Sequence, residues 1–225
     1  MAEELGKIEK PAAAEFKQGR KLCFIPIIYC PGEPPGGYRE RFDRYWEQVT
    51  AQVADLELKL GKVSRIYHEL VIAGGEEGLK AIKELNDKSY QVVKERTDKG
   101  ARLEATEGED VLTEFLDWSR CLAIGLQNQR VFTTVYESYS EAGRKRSAHI
   151  IKQIDGTLMA DEMGILLMRE GHRLQFPPDI EVFYVTPPAL DEIKRWLRDS
   201  EAKPREDTPK PKARKKKKKV SPEGG

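Results

Sequence analysis

Three short stretches place groups capable of acid–base chemistry where apolar runs stop. They are "RIYHEL" (65–70), "GRKRSAH" (143–149) and "MREGH" (168–172). The first ends on Glu69 and the last delivers Glu170 and His172. A carboxylate near a histidine is the usual way to tune a proton acceptor near neutral pH. The middle stretch carries several cations, and a stripe through Tyr139, Ile150 and Ile154 turns one of them, Arg146, inward. A partly buried arginine needs a carboxylate or an anionic ligand. Glu69 or Glu170 would serve. The expected site therefore has Glu69 or Glu170 as base, His172 as acid/base or ligand anchor, and Arg146 as anion clamp. The competing reading is a solvated strand rim with a structural Arg–Glu pair.

Other chemistries find less support. "AGGEEG" (73–78) is neither a dinucleotide fingerprint, because position 73 is alanine, nor a Walker loop. Its acids, Glu76 and Glu77, suit a first helical turn and would repel a phosphate. No HxxxH, HxH or GxSxG spacing occurs. His68 and Glu69 are adjacent, so a strand points them to opposite faces. Cys30 stands at a strand end without a nameable base. His149 lies on the apolar stripe of its helix and reads as a hydrogen-bonded core or boundary residue.

Period-two and continuous apolar runs supply the strands that must position these groups. They are "KLCFIPIIYC" (21–30), "KVSRIYHELVI" (62–72), the short "ARLEAT" (101–106), "EMGILLMRE" (162–170) and "DIEVFYVT" (179–186). Pro26 argues for an edge or a bulge in the first. Their ends deliver Tyr29 and Cys30; Tyr67, His68 and Glu69; Glu104, Thr106 and Glu107; Arg169, Glu170 and His172; and Thr186. Between them the period lengthens to three or four residues. Phe42 to Leu60 form one helix, closed by Gly61. Leu79, Ile82, Leu85, Tyr90 and Val93 form a second. Val111, Phe115, Trp118 and Leu122 form a third, and Val131 to Ile154 a fourth. The last helix starts near Pro188, with Leu190, Ile193 and Leu197 on its apolar face. "GHRLQFPP" links the last two strands as a hairpin or as an irregular parallel crossover.

The fold class is therefore α/β: a single domain over 21–200, with a mostly parallel sheet of about five strands and helices on both faces. Residues 1–20 read as a flexible arm and 201–225 as a disordered Lys-rich tail. The tail holds ten Lys/Arg against four acids, a net of +6, which leaves −5 for residues 1–200 out of +1 overall. A nucleic-acid footprint spread over the fold is not expected. The run Lys212, Arg214, Lys215, Lys216, Lys217, Lys218 and Lys219 reads either as a solubilising, disordered segment or as a weak, salt-dependent tether to nucleic acid or an anionic membrane. Three cysteines without a paired spacing, no signal-type start and no run of about 20 apolar residues predict a cytoplasmic protein with no membrane span. No cofactor and no oligomeric state can be read.

The order of "IYHEL" (Glu69), "GRKRSAHII" (Arg144 or Arg146) and "MREGH" (His172) resembles the TraB/PrgY-like and ChaN-like α/β proteins over about residues 21–186. In that group a strand ending in Glu, a helix with an Arg motif and a strand ending in Gly-x-x-His line one cleft. The family's first motif, a glycine-and-histidine turn after the first strand, has no counterpart in "IIYCPGEPP". The resemblance implies an arrangement, not an activity. The expected function is binding of a small polar or anionic ligand at the strand C-terminal ends, with a hydrolase-like reaction as its enzymatic form. The alternative is a non-enzymatic interaction protein tethered by its tail.

Overall fold

The computed structural model describes residues 18–202. The tail run Lys212–Lys219 and most of the N-terminal arm lie outside the described residues. The elements follow in the order β1 (Arg20–Pro26), α1 (Tyr38–Leu60), β2 (Val63–His68), α2 (Gly75–Leu85), α3 (Asp87–Asp98), β3 (Arg102–Leu103), α4 (Glu109–Ala123), α5 (Gln129–Thr157), β4 (Met163–Met168), β5 (Ile180–Tyr184) and α6 (Pro188–Ala202). The five strands make one sheet in the order β3-β2-β4-β1-β5, parallel at every pairing.

Alternation along the strands separates two apolar layers. Cys23 and Ile25 of β1, Ile66 of β2 and Ile165 and Leu167 of β4 face the layer formed by α1, α2, α3 and α6. Leu22 and Phe24, Tyr67 and Leu166 face Ile150 and Ile154 of α5. Runs buried on both faces read as continuous apolar sequence, as "GILLM" does. The crossovers β1→β2 and β2→β3 run one way along the sheet over the first face. Those of β3→β4 and β4→β5 run back over the second, as a single hand of crossover requires.

Two local readings change, and one of two alternatives is decided. β1 is central, not an edge, flanked by β4 and β5. Its amides alternate sides: Lys21 and Ile27 donate toward β4, so position 26 would donate toward β5. The β5 ladder ends opposite Phe24, at Tyr184, so Pro26 removes no ladder bond. The second predicted helix is two, α2 and α3. Asn86 breaks them: its side chain accepts from the Lys88 and Ser89 amides as an N-cap, and its Nδ2 donates to the Ile28 carbonyl. The link 169–179 is an irregular parallel crossover. It carries the chain from one side of β1 to the other and lays Leu174 and Phe176 on the second apolar layer.

The "AGGEEG" turn has a packing role. A Cβ on Gly78 would lie 2.3 Å from the Ala73 carbonyl oxygen and 2.9 Å from Leu103 Cδ2. Gly78→Ala gains about 1 kcal/mol of helix propensity but forces backbone apart at a buried contact, at about 1–3 kcal/mol. The second effect wins, and denaturant unfolding of the variant is expected to show net destabilisation. A variant as stable as the parent would show that α2 does not need this close approach.

Candidate functional site

Chains leaving β1 and β2 turn to the first sheet face, while those leaving β3 and β4 turn to the second. Neighbouring connections that diverge leave a crevice beyond the carboxyl ends of the strands, the usual ligand position in open parallel sheets. Four strand ends contribute to a cluster there. Tyr29 follows β1, Glu69 follows β2, Glu107 follows β3 and Arg169 follows β4. The fifth member, Arg146, comes from the middle of α5.

Glu107 and Arg146 form a two-point pair. Nε of Arg146 donates to both carboxylate oxygens, at 3.1 and 3.0 Å, and Nη2 also reaches Oε1. Nη2 lies 4.0 Å from Glu69 Oε2. The guanidinium sits over the Phe115 ring, 4.8 Å from its centre. Glu69 Oε1 accepts from the Tyr29 hydroxyl at 3.1 Å and from Arg169 Nε at 3.1 Å. The side chains of Glu69 and Glu107 are each 1% exposed, whereas that of Arg169 is 53% exposed. Burial, and then the charge of Glu69, push the Tyr29 phenol above its ordinary range, so it stays a donor. Two buried carboxylates thus hold one buried guanidinium and one that opens to solvent.

Backbone strain underlies the arrangement. Leu70 has φ 65°, a left-handed conformation that a leucine rarely adopts. It costs about 1–2 kcal/mol. In return the Leu70 amide donates to Glu107 Oε1 at 3.1 Å, tying the β2 exit to the β3 exit. Strain of this kind collects at functional sites.

His68 belongs to the scaffold behind the site. Its ring is fully buried, with Nδ1 2.7 Å from the Glu69 carbonyl oxygen and Nε2 3.0 Å from Ser89 Oγ. A carbonyl can only accept, so Nδ1 carries a proton toward Glu69, while the Ser89 hydroxyl lies 3.0 Å from both Nε2 and the Asn86 carbonyl oxygen. Burial lowers its pKa to about 4, partly offset by the hydrogen bond to the Glu69 carbonyl. Thr106 Oγ1 accepts from the His68 amide at 2.9 Å, so β3 also fixes this turn.

Of the expected site residues, the structure brings Glu69 and Arg146 together. Glu170 and His172 share no hydrogen bond or ion pair with either among the described residues. The consecutive residues of "MREGH" diverge. Arg169 reaches Glu69, while Glu170 pairs with Lys194 of α6 at 2.8 Å. The His172 ring packs on Phe24 at 4.6 Å, on the second sheet face, and its Nδ1 accepts from the Leu174 amide. Burial lowers the His172 pKa. Sequence reasoning placed Glu107 and Arg169 at strand ends but did not choose them. The signal for Glu107 was its position between a strand and Gly108, the first residue before α4. His149 is half-buried, and its ring fills the space a Cβ on Gly108 would need, at 2.9 Å. Among the described residues no three His, Cys, Asp or Glu side chains converge as metal ligands, and no helix is long and apolar enough to cross a membrane.

Comparison of the chain with protein-family models, curated proteins and solved structures finds no match. Fold and site define it instead as a single-domain parallel α/β protein. Its particular mark is a buried Glu69–Arg146–Glu107 cluster at the strand ends, joined to solvent through Arg169.

Proposed function

We propose that the strand ends bind a small anionic ligand, a carboxylate or phosphate, and that Arg169 receives it. The supporting observation is the state of that guanidinium. Nε is anchored on the buried carboxylate of Glu69, while the half-exposed side chain makes no other hydrogen bond among the described residues. Its terminal N–H groups are a pre-oriented fork, the geometry that recognises carboxylate and phosphate at two points. Anchoring through Nε lowers the ordering cost that a free surface arginine would meet on binding. Arg146 supplies the second positive charge from below. Glu69 is the carboxylate beside the ligand position and the proton acceptor for a hydrolase-like reaction there.

A thermal-shift panel of phosphate, sulfate and small mono- and dicarboxylates tests this reading. A true ligand at a hundredfold excess over its Kd stabilises the fold by about 2–3 kcal/mol. Arg169→Ala removes that gain. Its own cost in stability is about 1 kcal/mol or less, because the ion pair is partly solvated. Saturable stabilisation that survives in Arg169→Ala, or none from any member of the panel, counts against the proposal.

A further inference from the structure

β1 stops pairing just before it reaches the site. The Ile27 amide donates to the Met168 carbonyl, and beyond it Ile28, Tyr29 and Cys30 make no hydrogen bond with another main-chain group among the described residues. The connection that follows, "PGEPPGG" (31–37), carries Pro31, Pro34 and Pro35, which have no amide to donate. Side chains supply the missing donors. Asn86 Nδ2 donates to the Ile28 carbonyl at 2.9 Å, and the Tyr38 hydroxyl donates to the Tyr29 carbonyl at 2.8 Å. Tyr38 is the first residue of α1 and is buried. Its ring packs on Phe42, at 6.3 Å between centres, and on Trp196 of α6, at 5.7 Å. These contacts place the ring without help from the hydroxyl, so the bond to Tyr29 is separable from packing.

We propose that Tyr38 is a positioning residue of the anion site, holding Tyr29 so that Arg169 keeps its terminal N–H groups free. The proposal rests on the reading of Arg169 as the anion receptor. Glu69 Oε1 accepts from two donors, the Tyr29 phenol and Arg169 Nε, each at 3.1 Å. A carboxylate this deeply buried needs its lone pairs met. While Tyr29 meets one of them, a single guanidinium N–H meets the other, and the fork at the end of Arg169 is left for a ligand. Without the phenol, Glu69 draws on the remaining N–H groups of Arg169. An arginine that spends its fork on its own anchor receives no anion. Tyr38 acts at one remove, by fixing the carbonyl of the residue whose phenol occupies Glu69. Tyr45, two turns on in α1, is a natural contrast. It is also buried and its hydroxyl also donates to a β1 carbonyl, that of Pro26, but there β1 is still paired with β4.

Spectra of the full chain labelled with ¹⁵N at arginine, recorded without ligand, test the role. The Arg169 Nε–H signal is identified by its loss in Arg169→Ala. Tyr29→Phe and Tyr38→Phe are both expected to move it, and in the same direction. Tyr45→Phe, which removes a comparably buried hydroxyl from the same helix, is expected to leave it in place. In titrations with inorganic phosphate, Tyr38→Phe is expected to weaken binding about three- to tenfold, the factor that one neutral hydrogen bond carries. Tyr45→Phe is expected to keep the wild-type Kd. A Tyr38→Phe variant that leaves the Arg169 signal unmoved overturns the proposal. So does a Tyr45→Phe variant that moves it as far, because Tyr38 would then be general support for β1. A wild type that takes no phosphate counts against phosphate as the ligand of the anion site, while the ligand-free signal still decides the role of Tyr38.

Discussion

Replacing Arg146 with methionine is expected to destabilise the protein by about 3–5 kcal/mol at neutral pH, the cost of removing one partner from a buried ion pair. Methionine fills much of the same volume, so the loss is electrostatic. It strands Glu107, whose carboxylate keeps only the Leu70 amide, and leaves Glu69 with Tyr29 and Arg169. Adding Glu107→Gln to Arg146→Met is expected to recover part of the loss, because it removes the buried charge left without its partner. Urea unfolding of both variants at neutral pH is the measurement. A loss below about 1 kcal/mol, the scale of a solvated pair, would mean that the cluster is hydrated and not a buried network.

The second large effect concerns His68. Its folded pKa of about 4 lies below the ordinary value of 6.5. Between those values the unfolded chain binds the proton and the folded one does not, so stability falls as pH drops from about 6.5 to about 4. The span corresponds to a loss on the order of 3 kcal/mol. His68→Asn has no group titrating there, and the decline in this window is expected to flatten whatever the variant's absolute stability. A slope unchanged by the substitution would assign the decline to other groups.

The architecture was largely legible in the sequence because parallel strands buried on both faces, and helices with one apolar stripe, have periods that tertiary context rarely overrides. Pro26 misled because a proline's cost depends on whether a neighbour stands opposite its missing amide, and β5 has ended at that point. The α2–α3 break was hidden in the hydrophobic period, which runs on through Leu85 and Tyr90. Its mark was Asn86, whose side chain caps the second helix.

The site was half legible. An arginine on an apolar stripe predicts a buried carboxylate partner, and Arg146 has two. Which carboxylates these are depends on strand order, and strand order is not written in local spacing. β4 lies between β2 and β1, so its exit residue Arg169 meets Glu69, while Glu170, one position on, turns to α6. His172 is farther along the same exit, where Gly171 at φ 83° redirects the chain onto the second sheet face. Proximity in the sequence, Glu170 beside His172, was therefore a poor guide to proximity in the cleft.

The most direct test of an anion site at Arg169 watches the guanidinium itself. In protein labelled with ¹⁵N at arginine, the Nε–H signals of Arg169 and Arg146 are assigned by substitution and followed during titration with the anion that stabilises the fold. Both signals are expected to shift together along one saturable curve, with a Kd matching the thermal-shift result. Shifts confined to other arginines, or a linear drift without saturation at Arg169, would contradict the account.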